Sequence, residues 1–269
     1  MPSLWSETVT LPSFPPLQKD LNTDVLIIGG GLAGLLCCHR LRGAGVDCAL
    51  VEARTICSGA TGNTTAKLTA QHGLIYQKLE KEFGAGTARL YYEANEAALN
   101  EYRILCAGMD CDFEEQDSYL YSREDRVPLD KELKALERAR IPASFVEGSV
   151  LPLPFPTVGA VKFSRQARFH PLKFVSAIAP GLPIYENTPI REFAPGCLRT
   201  GRHVIRARQV VVCTHFPILN KHGSYFLKLY QDRSYALALE GAGPIDGMFL
   251  DQQKGGLSLR SWGNNLILG

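Results

Sequence analysis

Apolar residues near the start of the chain come in short unbroken runs bounded by glycine, the pattern of strands buried on both faces. Val25–Ile28 is one such run, and Gly29, Gly30 and Gly31 follow it directly. Residues 32–42 are apolar at helical spacing and close on Gly43 and Gly45; residues 46–52 (VDCALVE) form a second buried run. Strand, helix and strand joined by glycines within about 30 residues predict a βαβ unit with a parallel sheet.

The remainder alternates less regularly. Residues 75–107 read as helix, with Leu79, Phe83, Leu90, Ala94, Ala97 and Leu105 facing inward. Residues 113–122 and 158–164 read as strands, and 129–140 as a charged surface helix stopped by Pro142. His170-Pro171 opens a helix to about residue 179, with proline in its first turn. Residues 182–193 and 203–213 are strand-like, and from Tyr225 short strands alternate to the end, NNLILG. Residues 1–21 are Pro-rich and aperiodic, which predicts an extended arm laid on the surface.

Composition narrows the class. At 269 residues, 45% apolar and 21% charged, the chain is globular and long enough for one large or two modest domains. The longest apolar stretch, 25–38, contains three glycines and is too short to span a bilayer. No basic and apolar leader pattern occupies the first 20 residues, so a cytoplasmic location is expected, and eight cysteines there are expected to be reduced thiols. The net charge of +2 conceals −6 over residues 1–135 and +8 over 136–269. Arg199, Arg202, Arg206 and Arg208 flank a Thr200-Gly201 turn without aromatic partners, which favours a solvated hairpin over a nucleic-acid surface. The acidic run Asp110, Asp112, Glu114, Glu115, Asp117 lacks the glycine and terminal glutamate of a calcium loop, so no metal is expected.

The chemistry lies in Gly29-x-Gly31-x-x-Gly34, which ends a strand and opens a helix, with Glu52 closing the next strand. Gly29 permits the tight turn, Gly31 lets backbone approach a pyrophosphate, and Gly34 lets the helix pack closely. The helix start, around Ala33, offers free N–H groups and a partial positive charge. Glu52 stands where a carboxylate accepts the hydroxyls of an adenosine ribose, and disfavours a 2′-phosphate.

With Arg54 and the small-residue stretch 57–67 that follows, the chain resembles the FAD-dependent amine and amino-acid oxidoreductases, the family of glycine oxidase, sarcosine oxidase, D-amino-acid dehydrogenase and gamma-glutamylputrescine oxidase. Gly59, Ala60, Thr61 and Gly62 match the first half of that family's Gly-Ala-Ser-Gly-Arg-Asn-Gly-Gly segment. Asn63, Thr64, Thr65 and Ala66 depart from the second half. The resemblance implies FAD as cofactor, held by Gly29, Gly31, Ala33, Gly34, Glu52, Ala53, Arg54, Ala60, Thr61, Thr64, Thr65 and Ala66. It also implies backbone contacts from Ile190 and a strand end at Thr214. It extends from Asp24 onward and is specific over 29–66.

The fold class implied is α/β: a Rossmann-like FAD-binding domain (22–108 and 166–222) interleaved with a mainly antiparallel β-sheet substrate domain (109–165 and 223–269), after an arm at 1–21. The reaction implied is oxidation of an amine or amino acid by hydride transfer to flavin N5, with a small amine as partner and no nucleic acid. Lys67, His72 and Arg233 are the candidate catalytic residues, the last as a carboxylate clamp. Family members continue past NNLILG, so a truncated chain with an uncovered apolar edge at Leu266–Leu268, prone to self-association, is expected; the alternative function is a catalytically incomplete FAD-binding remnant. Flavin disulfide reductases begin similarly, but the residue five after Cys57 is Gly62, and Cys106 and Cys111 lie far from Glu52; all read as core or surface thiols.

Overall fold

The computed structural model describes residues 3–194, 196–219 and 223–269, and the chain divides into two compact units. Unit 1 holds residues 1–64 and 171–233; unit 2 holds 65–170 and 234–269. The expected division differs at four places: residues 65–108 and 166–170 belong to unit 2, and the N-terminal arm and residues 223–233 to unit 1. The expected boundary at 222 lies outside the described residues.

Unit 1 contains α1 (Leu4–Thr8), β1 (Leu21–Ile28), α2 (Leu32–Gly43), β2 (Cys48–Val51), α6 (Pro171–Ile178), β7 (Ile184–Tyr185), β8 (Glu192–Ala194), β9 (Cys197–Arg199), β10 (Val204–Val212) and α7 (Tyr225–Lys228). Among the described residues its sheet has the order β7-β2-β1-β10-β9-β8. The first four strands run parallel; β9 is added antiparallel to β10 around the Thr200-Gly201 turn, and β8 antiparallel to β9. All four residues of β2 and the last four of β1 are buried, as a strand covered on both faces requires. Leu17, Leu26, Ile28, Val51, Leu198 and Ile205 form the core on one face.

Unit 2 contains β3 (Lys67–Leu68), α3 (Ile75–Phe83), α4 (Ala85–Cys106), β4 (Glu114–Ser122), α5 (Val127–Arg138), β5 (Ser144–Glu147), β6 (Gly159–Arg168), β11 (Leu237–Leu239), β12 (Met248–Asp251), β13 (Ser258–Trp262) and β14 (Asn265–Leu268). Its sheet runs β11-β14-β13-β12-β4-β6-β3, with β5 also on β6, and only β12–β4 is parallel. Helices α3, α4 and α5 cover one face around Tyr76, Leu120, Leu129, Leu136 and Phe163. Glu132 of α5 is buried and accepts the Tyr76 and Gln77 N–H groups, both at 2.8 Å, capping the start of α3.

Two expectations are corrected here. The helix read over 75–107 is two helices, broken at Gly84 (φ +84°), which resets the phase. Leu90, Ala94 and Ala97, after the break, are exposed, as is Phe83 at the end of α3, and Tyr76, Ala88 and Leu99 take the inward positions. The apolar strand at Leu266–Leu268 is no edge: β11 pairs with β14 (Leu237↔Leu268, Leu239↔Leu266). Its three residues are exposed themselves, so sequence burial gave no sign of that cover.

A candidate dinucleotide-binding site

In unit 1 the end of β1 turns sharply into α2. Gly29 has φ +113°, and a Cβ there would lie 2.5 Å from the Cys213 carbonyl oxygen at the end of β10. A Cβ on Gly34 would lie 2.0 Å from the Gly29 carbonyl oxygen. Both glycines let backbone approach backbone where parallel strands of the sheet end, the usual ligand position in open α/β sheets. Gly31 is different. It precedes α2 in an extended conformation, and a Cβ there would meet one atom within 4 Å, Thr61 Oγ1 at 3.3 Å. The turn is closed toward the protein at Gly29 and Gly34 and open at Gly31.

Helix α2 has no side-chain cap of its own, so its first N–H groups need partners from elsewhere. The Thr61 hydroxyl, from the 3-10 turn Ala60–Asn63, takes the Leu32 N–H at 3.0 Å. Ala33 is exposed beside it.

Glu52 leaves β2 half-buried, and its carboxylate is pinned: Oε2 accepts the Gly30 N–H at 2.7 Å and Oε1 the Arg54 N–H at 2.9 Å. Two backbone donors thus fix the orientation of the carboxylate at the glycine turn. The loop behind it is strapped to the segment after β7. Glu52 N–H donates to the Tyr185 carbonyl, Asn187 N–H to the Arg54 carbonyl and Thr188 N–H to the Glu52 carbonyl, at 2.8–2.9 Å. Buried Glu186 accepts the Ile56 N–H at 2.7 Å. Sequence reasoning missed Glu186, which has no local signal beyond a polar residue in a strand-like run.

Cys57 sits in this loop at φ +57° and donates its N–H to the Gly30 carbonyl at 2.9 Å, while its own carbonyl accepts Gly62 N–H at 3.1 Å. Burial, with Glu52 and Glu186 nearby, pushes its thiol up to about 12. A Cβ on Gly62 would lie 2.6 Å from the Cys57 carbonyl oxygen, so this glycine also serves a close approach. Ala53, Arg54 and Ala60 are exposed, and Thr64 is half-buried. Ile190 is half-buried against the core of unit 1; Thr214 follows β10, its N–H beside Gly29 and its hydroxyl donating to the Phe216 carbonyl at 2.8 Å.

Thr65 and Ala66 begin unit 2. Ala66 is buried with φ +55°, a left-handed conformation at the position where the resemblance expects glycine. Lys67 Nζ donates to the Phe249 carbonyl at 2.6 Å and to Ser258 Oγ at 2.7 Å. Burial, assisted by Arg260, pulls its pKa down to about 7. His72 is exposed with Nδ1 at 2.8 Å from the Tyr91 hydroxyl, and partial burial of the ring lowers its pKa. Arg233 is exposed on a segment without regular structure in unit 1. The three candidate catalytic residues are thus not gathered on one element: Lys67 is held by strands β12 and β13, His72 by α4, and Arg233 lies in the other unit.

All eight cysteines are free thiols. Among the described residues no helix is long and apolar enough to cross a membrane.

Comparison with known proteins adds an independent line. The chain is 35% identical over 270 residues to the "Putative Rieske 2Fe-2S iron-sulfur protein YhfW" of Bacillus subtilis, covering 95% of this chain and 53% of that one. It is 25% identical over 224 residues to the gamma-glutamylputrescine oxidoreductase of Escherichia coli, covering 74% and 50%. It therefore spans about half the length of these curated relatives. Among solved structures, L-proline dehydrogenase from P. horikoshii superimposes with a TM-score of 0.69 at 15% identity, over 93% of this chain and 70% of that one. Glycine oxidase from Bacillus cereus does so at 0.63 and 21%, over 92% and 70%. These structural likenesses establish the fold. The family model described as FAD dependent oxidoreductase matches residues 24–269, from the first buried strand through β14, and the chain belongs to that family.

Proposed function

We propose that the chain binds FAD through the Gly29–Gly34 turn and Glu52, and takes part in oxidising an amine or amino acid by hydride transfer to flavin N5. The observation that carries this reading is the fixed Glu52 carboxylate beside an open Gly31. A dinucleotide fits both. The N–H groups at Ala33 and Gly34 would hold phosphate oxygens, and the remaining lone pairs of Glu52 would accept ribose hydroxyls. When bound, FAD supplies a two-electron acceptor for a C–H bond next to nitrogen. The chain's own contribution is to orient and shield: Thr61 and the 52–57 loop fix the nucleotide end. Family relatives named for gamma-glutamylputrescine and glycine support the amine class.

Lys67, His72 and Arg233 remain our candidates for substrate handling. Lys67, with a pKa of about 7, exchanges a proton near neutral pH, and the Arg233 guanidinium is open to a carboxylate. The relative named a Rieske protein makes an iron–sulfur centre an electron acceptor to test beside oxygen.

The test is FAD titration of the purified chain, wild type and Glu52→Ala. Loss of this charge-assisted site is expected to cost about 1.5–3 kcal/mol of FAD affinity. Flavin bleaching by amines and amino acids without oxygen then tests the reaction. Equal FAD affinity in Glu52→Ala overturns the nucleotide site; bleaching by 2-hydroxy acids and not by amines overturns the substrate class.

A further inference from the structure

Among the described residues, the segment before β1 contributes no strand to the sheet. An extended surface arm is what its sequence predicts, and the structure differs. Residues Leu4–Thr8 form α1, started by a Ser3–Ser6 capping box, and Trp5 within it is 3% exposed. The Trp5 indole Nε1–H donates to the Thr64 carbonyl at 2.7 Å. Nine residues on, the Phe14 N–H donates to Glu186 Oε2 at 3.0 Å, while Glu186 Oε1 holds the Ile56 N–H at 2.7 Å. The Leu17 N–H then donates to Thr188 Oγ1 at 3.0 Å, and Thr188 N–H holds the Glu52 carbonyl at 2.8 Å.

Each anchor therefore leads to the same stretch of backbone, 52–64. One end of that stretch carries Glu52 and the other carries Thr61 and Thr64. A single carboxylate, 3% exposed, ties the arm and the loop together by accepting one N–H from each. A loop containing Cys57 in a left-handed conformation, with its shape held by backbone bonds to Gly30, depends on such external ties.

We propose that residues Ser3–Leu17 form a strap that positions the 52–64 loop for the adenine dinucleotide, with Trp5 and Glu186 as its positioning residues. Trp5 bonds the loop's backbone directly, and Phe14 and Leu17 reach it through Glu186 and Thr188, so the strap governs where Glu52 and Thr61 stand. This rests on the FAD reading above, and the experiment separates the two.

Trp5→Phe keeps an aromatic ring but removes the N–H donor and part of the buried ring volume; Glu186→Gln keeps the side-chain length and removes one acceptor oxygen. Amide hydrogen exchange over residues 52–64 in the FAD-free protein, and FAD titration by flavin fluorescence, are the readouts. Loss of one hydrogen bond of this kind is expected to raise exchange and weaken FAD binding about five- to tenfold in each variant. The unfolding temperature of the FAD-free protein stays close to that of Glu7→Gln, an exposed change in α1 that leaves the cap and both anchors in place. Wild-type exchange and wild-type FAD affinity in Trp5→Phe overturn the strap, whether or not Glu186→Gln folds. If the wild-type chain itself takes up no FAD, the nucleotide reading fails, and the exchange measurement still decides the strap.

Discussion

The hydroxyl of Thr61 stands 3.0 Å from the amide nitrogen of Leu32, so a residue 29 positions downstream caps the helix that begins at the glycine turn. With the Gly30 bonds to Glu52 and Cys57, that contact joins the two halves of the candidate site inside unit 1. Thr61→Val keeps the shape and removes the acceptor. We expect it to lower stability by about 0.5–2 kcal/mol, the range for losing a helix cap, and Thr61→Ser to restore most of it. Thermal unfolding of the three proteins, each with and without added FAD, checks this.

The glycines separate into two kinds. Gly34→Ala drives a Cβ to 2.0 Å from a backbone oxygen that cannot move without disturbing β1. We expect a loss of at least about 1–3 kcal/mol, or insoluble protein. Gly31→Ala meets only the Thr61 hydroxyl at 3.3 Å. It is expected to fold with a near-wild-type urea midpoint and to bind FAD more weakly. Equal instability of the two variants would contradict the division of roles.

Lys67 gives a pH signature. Its pKa falls from 10.5 to about 7 through burial, so between those values the unfolded chain holds a proton that the folded chain releases. Stability contributed by this group therefore rises as pH climbs from about 7 toward 10 and is lost on acidification through 7. The neutral amine keeps two N–H donors, matching its two acceptors, Phe249 O and Ser258 Oγ. Lys67→Met is expected to flatten that rise in urea midpoints taken at pH 7 and 9.5, whatever its own cost.

Two thiols are expected to be inert. Burial pushes both Cys38 and Cys57 up to about 12. At pH 8 the thiolate fraction is then about one in ten thousand. Iodoacetamide on the native protein should leave their peptides unmodified while labelling half-exposed Cys37 and Cys197. Labelling of Cys57 before Cys37 would mean that the 52–64 loop opens readily.

The parts of the fold that the sequence reveals are those specified over short distances. Gly29, Gly31, Gly34 and Glu52 lie within one βαβ unit, and each spacing has a local mechanical cause. The parts that escaped it depend on remote partners or on phase. Gly84 interrupts a helical pattern that looked continuous, and Leu90, Ala94 and Ala97, counted across it, are exposed. Leu237–Leu239 covers β14 while staying exposed itself, a pairing no burial pattern announces. Trp5 and Glu186 reach the site from 59 and 130 positions away, measured to Thr64 and Ile56. Lys67, picked out for chemistry, owes its low pKa to strands near the other end of the chain.

The bond between Lys67 and the Phe249 carbonyl spans 182 positions. On a ribosome adding about 5–20 residues per second, β3 waits roughly 9–36 seconds for the strand that satisfies its lysine. In that interval the ammonium is solvated, at its ordinary basicity, and nothing ties it to β12 or β13. This contact cannot form until residues 249 and 258 have been added. A nascent chain stalled before residue 248 should therefore carry a lysine at position 67 that acylating reagents modify near neutral pH far less than a free α-amine, yet without the buried protection of the finished sheet. Pulse acetylation of stalled and released chains would time the closure of unit 2.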